Sequence, residues 1–221
     1  MTAPQIAIPV AGIDGYSRGW VAVELDEHGD AAARTAPHLG DLVDSPARVV
    51  AVDMPIGIPN GEARAADLEA RRVVGARRSS VFVTPPRAAL EAESFAEANV
   101  IARELTGKGM SQQSFALRRR IFEVERLAEA DDRVVEVHPE VSFRELAGRP
   151  LAYSKHSAEG LAERRALLEG AGIQLPPRPP GVPEADLLDA AVAAWTAGRF
   201  ARGEARPLPE GHRERIGAIW A

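Results

Sequence analysis

The stretch Arg48 to Pro59, RVVAVDMPIGIP, restricts the fold more than any other part of this chain. Val49 to Val52 is a short, nearly continuous apolar run dominated by Val, the composition of a strand buried on both faces of an open sheet. It ends in an acid. Asp53 is followed by Met54, then Pro55, whose ring disfavours helix in the residue before it, then Gly57 and Pro59, so the chain leaves the sheet in an irregular loop. A carboxylate at the carboxyl end of a buried strand, under such a loop, stands where open α/β sheets place ligands. An Asp at a strand end also caps its own turn, and this stretch alone does not choose between the two roles.

Around it the pattern alternates strands and helices. Ile6 to Asp14 and Gly19 to Leu25 read as strands joined by Gly15 to Arg18, a hairpin with Gly on both flanks. The first also ends in an acid, Asp14, which shares parity with Ile8, Val10 and Gly12 and so projects to their face. A weaker strand spans Ala31 to Thr35, and Gly40 to Asp44 forms a helical turn. Gly61 to Val74 is a helix with Asn60 as its cap and Gly75 at its end. Residues 76 to 87, ARRSSVFVTPPR, have no clean period; backbone donors beside Arg78 and Arg87 suit a loop that holds phosphate or carboxylate, or a solvated surface loop. Helices follow over Ala88 to Thr106 and Ser111 to Ala130, broken by Gly107, Lys108 and Gly109.

Arg133 to His138 is a further strand in which Glu136 is a charge within an apolar run; Val141 to Ala147 is a short helix, with Glu140 its more exposed neighbour. A polar loop from Tyr153 to Ser157 carries Lys155 and precedes a helix over Ala158 to Glu169. After the Pro-rich spacer Gln174 to Pro183, Glu184 to Phe200 is a long helix, apolar over residues 187 to 198 except for Asp189 and Thr196 and therefore buried, with many Ala that permit close approach to a sheet. Asp186 and Asp189 lie three apart on one face, in the turns where the helix dipole tolerates anions. That is reason enough for Asp186, whereas Asp189, deeper among Leu and Ala, needs a partner. Ile216 to Trp220 ends the chain as a short edge strand.

Composition excludes several chemistries. There is no cysteine among 221 residues, which removes disulfides, thiolate zinc sites and cysteine nucleophiles and favours a reducing compartment such as the cytoplasm. The amino terminus has no basic leader region, and no apolar run approaches the ~18 residues that span a bilayer, so no membrane partner is expected. A net charge of −5 gives no global attraction to polyanions, though local patches bind phosphate. Only Lys108 and Lys155 of 27 basic residues are lysine. The five His, at 28, 38, 138, 156 and 212, have no helix-borne metal spacing, GKGMS is not a phosphate-binding P-loop, and neither G-x-S-x-G nor G-x-G-x-x-G occurs.

Asp14, Asp53, Glu136 and Asp189 come from three strands and a helix. If those strands are neighbours and the helix packs across their ends, the carboxylates converge, and converged acids share protons or bind divalent metal. Oxygen ligands without His or Cys select Mg²⁺ or Mn²⁺, and two such ions ~3.5–4 Å apart activate water in phosphodiester hydrolysis. Asp53 then belongs on a central strand.

The element order resembles the ribonuclease H-like fold of nucleases and Holliday-junction resolvases. The motifs GIDGYSRGW at 12 to 20, VDMPIGIP at 52 to 59, RRSSVFVTPPR at 77 to 87, GKGMSQQ at 107 to 113, EVHPEVSF at 136 to 143, SK at 154 to 155 and DLLDAAVAAWTA at 186 to 197 are similar to the family of predicted ribonuclease H-like nucleases called domain of unknown function 429. The resemblance implies an α/β fold, a ribonuclease H-like mixed β-sheet flanked by helices, as a single domain over residues 1–221 with a helical insertion at about 61–130. By analogy it implies metal-dependent phosphodiester hydrolysis. The expected centre is Asp14, Asp53, Glu136 and Asp189 on Mg²⁺ or Mn²⁺, with Asp186 as an outer ligand, and Arg78, Arg87, Lys108 and Lys155 steering a nucleic acid or other phosphate-bearing substrate. A non-catalytic nucleic-acid or nucleotide-binding module on the same scaffold, and an actin-like phosphotransferase, are the alternatives.

Overall fold

The computed structural model describes residues 8–221. The apolar run at 49–52 forms β4 (Val49–Val52), with every side chain buried. Four more strands complete its sheet: β1 (Val10–Tyr16), β2 (Gly19–Leu25), β3 (Ala31–Ala36) and β5 (Val134–Glu136). Their order is β3-β2-β1-β4-β5. The first three pair antiparallel as a meander, the short helix α1 (Gly40–Val43) leads from β3 to β4, and β4 and β5 join parallel to β1. The result is a mixed sheet flanked by helices, the class of architecture expected from the sequence. The middle position is taken by β1; β4 lies between β1 and β5, interior but not central. The predicted start of the first strand at Ile6 lies outside the described residues, and β1 runs past Asp14 to Tyr16, so this acid sits within the hairpin rather than at its end.

Alternation along the strands divides the core into two layers. Val10, Val23, Val49, Ala51 and Val135 face α9 (Glu184–Ala201), while Ala11, Ile13, Val50, Val52 and Val134 face α6 (Arg118–Ala130) and the Met54–Ile58 loop. The contact of α9 with β1 is direct. A Cβ at Gly12 would lie 2.0 Å from the Ala194 amide nitrogen and 2.2 Å from the Ala190 carbonyl oxygen. The small residues of α9 and the glycine of β1 thus let two backbones touch, and this closeness sets where the acids of the helix fall.

Between β4 and β5 the chain runs through five helices. α2 (Ala65–Val74) starts four residues later than the sequence predicts, after Arg64 rather than at Asn60, and Gly75 ends it at φ +59°. A 3₁₀ turn over Gly75–Ser80 follows, where a loop is expected. Each of the two long helices predicted next is split. α3 (Arg87–Glu91) and α4 (Phe95–Thr106) part before Ser94, whose Oγ accepts the Glu97 amide at 3.2 Å and restarts the helix. α5 (Gln112–Ala116) begins on Ser111 in the same way, and Leu117 separates it from α6. The Ser94 cap sits inside an Ala- and Glu-rich run, where helix propensity hides it, whereas Ser111 starts a helix where the sequence places one.

Beyond β5 come α7 (Pro139–Ala147), with Pro139 at its first turn, and α8 (Ala158–Gly170), capped by Ser157. After α9, β6 (Pro207–Leu208) pairs antiparallel with β7 (Ile219–Trp220), and a bridge from Trp220 to Val137 ties this end to the main sheet. Among the described residues no helix is long and apolar enough to cross a membrane.

Candidate active site

In the parallel pairing of β1 with β4, Ile13 faces Val52, and the Asp53 amide donates to the Ile13 carbonyl at 3.0 Å. The ladder therefore carries one residue past β4 and sets Asp14 beside Asp53 at the carboxyl end of the sheet. Both share parity with residues facing α9. Because α9 lies against Gly12, its first two turns overhang this edge and bring Asp189, 1% exposed, and Asp186 toward the strand acids.

The electrostatics report the closeness. Burial first, then the charges of Asp53, Asp189 and Asp186, hold the Asp14 carboxyl well above its ordinary range. Asp53 is pushed up to about 6, by burial first; the nearby His138 draws it back, while Asp189 and Asp186 raise it further. Asp186 is raised as well, mainly by burial, with Lys155 opposing and Asp189 adding to the rise. One cation answers this charge at short range. Lys155 Nζ donates to Asp189 Oδ2 at 2.6 Å. Burial works against its ammonium, but Asp189, Asp14 and Asp53 outweigh it and raise the lysine pKa. The Lys155 loop is seated by a second glycine: a Cβ at Gly160 would lie 1.8 Å from the Ser154 carbonyl oxygen, so α8 packs directly on that turn.

Glu136 approaches from the other layer of the sheet. Its register partner is Val52, on the layer opposite Asp14 and Asp53. There Arg64 grips it with two bonds, Nη1 to Oε2 at 2.8 Å and Nη2 to Oε1 at 2.6 Å, and the Ile56 amide donates to Oε2 at 2.6 Å. Arg64 also reaches Asp67, whose Oδ2 accepts the Thr84 amide at 2.7 Å. Strand parity thus gives Glu136 to a buried ion network that fixes the loop after β4, while the same carboxylate still borders the cavity that Asp14 and Asp53 line. Burial lifts its pKa, with Arg64 opposing. Glu140, expected to be exposed, is buried against Arg164.

A cavity of about 240 Å³ is bordered by the acids Asp14, Asp53, Glu136 and Asp186, and by Phe82, Arg120, His138 and Lys155. Of the four basic residues predicted to steer phosphate, Lys155 alone borders it. Arg87 pairs with Glu125 at 2.7 Å, and that carboxylate also accepts the Ile58 amide, so it braces the loop. Arg78 and Lys108 are exposed and do not line the cavity. Their motifs contribute other members, Ser80 to Phe82 and Gln113. Arg120 and His138 were not singled out from sequence. Arg120 sits in the run Arg118–Arg120, which reads as a solvated helix face; in the structure it donates to the Tyr16 carbonyl and lies 5.2 Å from the Trp20 ring. Its signal was that hairpin, whose glycine leaves room for a guanidinium.

Among the described residues no group of three or more His, Asp or Glu side chains is arranged, as the side chains stand, to hold a metal ion. The donors nevertheless fit a hard divalent cation in their chemistry. Asp14, Asp53 and Asp189 offer only oxygen, they repel one another, and Lys155 supplies one positive charge where two would balance more.

The family described as "Protein of unknown function (DUF429)" matches residues 12–214. Among solved structures, "Thermus thermophilus RuvC structure" aligns over 97% of this chain and 100% of that chain, with 16% identity and a TM-score of 0.37. No curated protein matches.

Proposed function

We propose that this chain, which belongs to the DUF429 family, is a divalent-metal-dependent hydrolase of phosphodiester bonds whose substrate is a nucleic acid or a related phosphoester. The observation that carries this reading is the placement of Asp14 and Asp53 on adjacent parallel strands under Asp189, close enough that, beyond burial, Asp53 and Asp189 raise the Asp14 carboxyl and Asp189 raises that of Asp53. Asp14, Asp53 and Asp189 hold Mg²⁺ or Mn²⁺, with Asp186 at the margin. When bound, the ion supplies Lewis acidity toward the phosphoryl oxygen and lowers the pKa of water. Lys155, released from Asp189, and Arg120 bind the non-bridging oxygens of the phosphate. Glu136 and Arg64 keep the Met54–Ile58 loop clear of the acids.

The test is a Mn²⁺ titration by calorimetry, paired with cleavage of a panel of DNA, RNA and small phosphodiesters. Asp14→Asn and Asp189→Asn should each abolish both binding and cleavage. An unchanged cleavage rate in either variant defeats the assignment. The Lys155–Asp189 ion pair favours one second reading, a non-catalytic module that binds phosphate on Lys155 and Arg120; it predicts ligand binding with no metal uptake.

A further inference from the structure

Asp14, 7% exposed, lines the cavity together with Asp53, Glu136 and Asp186, and walls from separate parts of the chain stand around them: Ser80 to Phe82, then Gln113 to Arg120, then the Lys155 loop. At about 240 Å³ the space falls near the low end of small-molecule pockets, which run from about 300 to 1,000 Å³. The interior phosphodiester of a continuous strand needs more than room for its phosphate. Chain must leave on both sides of it, and each further phosphate calls for its own cation. Here the Lys and Arg bordering the cavity are Arg120 and Lys155, and the second is already bonded to Asp189. Arg78 and Lys108 are not part of the cavity lining. One wall carries Phe82, partly buried against the Ile13–Leu90 core layer, which offers an apolar ring face to a single base or sugar.

We infer that the site takes a terminal nucleotide, a strand end or a dinucleotide, and not the interior of a continuous strand. This rests on the reading of the site as a phosphodiester hydrolase. Water adds to phosphorus, the P–O bond to the departing sugar breaks, and the proton lost by the water ends on that sugar's oxygen. The products are one phosphate-bearing nucleotide and a strand shorter by one unit.

The experiment compares, with the intact protein and Mn²⁺, a linear single-stranded oligonucleotide, the same sequence ligated into a covalently closed circle, and a dinucleotide. The linear strand should shorten by single nucleotides and the dinucleotide should be split, with the circle cut at least about 100-fold more slowly. A circle opened within about tenfold of the linear rate overturns the inference and leaves the hydrolase reading standing. Cleavage of none of the three overturns both. Phe82→Ala should raise KM for the dinucleotide with kcat little changed; a fall in kcat alone contradicts the role given to the ring.

Discussion

Replacing Asp53 with Asn should make the metal-free protein more stable at neutral pH, and only there. Asp53 titrates at about 6 in the folded chain against an ordinary value of 3.8, chiefly because it is buried, with Asp189 and Asp186 adding repulsion that His138 and Lys155 only partly offset. A carboxyl raised on folding binds its proton more tightly folded than unfolded. Between pH 3.8 and about 6 the folded state therefore carries more protons, and stability falls as pH rises; above about 6 the whole penalty is present, and below 3.8 there is none. At about 1.36 kcal/mol per pH unit, the gap amounts to about 3 kcal/mol.

Asparagine keeps the shape without the charge. Thermal melts in chelator from pH 4 to pH 8 should show the variant equal to the parent at the acid end. Its Tm should rise above the parent by about 6–12 °C at the neutral end, at about 2–4 °C per kcal/mol for a chain of this length. Added Mn²⁺ should then raise the parent's Tm and leave the variant's nearly unmoved, since a ligand that binds only the folded state stabilises it by mass action. Two melting curves that stay parallel across the whole range, or a variant less stable at pH 7.5, would refute the argument that folding holds the Asp53 charge at a cost, by burial first and by the neighbouring acids second.

Three further outcomes follow from the same geometry. Arg64→Met strands Glu136 and Asp67 as buried charges without their partner, and should cost about 3–5 kcal/mol as a shift in the urea midpoint, much of it recovered in the double variant Arg64→Met, Glu136→Leu. Gly12→Ala drives a methyl into the Ala194 amide, and should cost at least about 1–3 kcal/mol and loosen amide protection along α9 before the rest of the core. Lys155→Met removes the ammonium that competes for Asp189, and calorimetry should show Mn²⁺ bound about tenfold more tightly, while phosphate binding weakens; an unchanged metal affinity would mean that lysine and metal do not share that carboxylate.

The elements were legible where one local signal dominated. Val49–Val52 is a strand at both its predicted bounds because a short apolar run between Arg48 and a Pro/Gly loop has few other solutions. The long helix from Glu184 is found because apolar residues on every side, most of them small, mean burial against a flat surface. Where two signals competed, the stronger was followed and the weaker was real. Ser94 caps a helix inside a segment whose Ala and Glu content argues for uninterrupted helix, and a cap stabilises by about 1 kcal/mol, comparable with the propensity of two or three residues.

The site was legible to the extent that strand register is. Asp14 and Asp53 needed only parity within their own strands and a parallel neighbour to end up side by side. Glu136 needed one thing more, the offset of β5 against β4, which no residue in either strand announces. Shifted by a single position, Glu136 would have faced α9 with the other acids; at the register adopted it faces α6, and a guanidinium from the start of α2 meets it. Arg64 was equally hidden, since its sequence neighbours suggest an exposed helix start. Its burial follows from Glu136: an arginine that pairs bidentately with a strand carboxylate and with Asp67 is drawn inside by two charges, and the chain before α2 is pulled in with it. The acids that make the site and the acid that holds its loop are thus the same kind of residue on similar strands, divided by one step of the pleat.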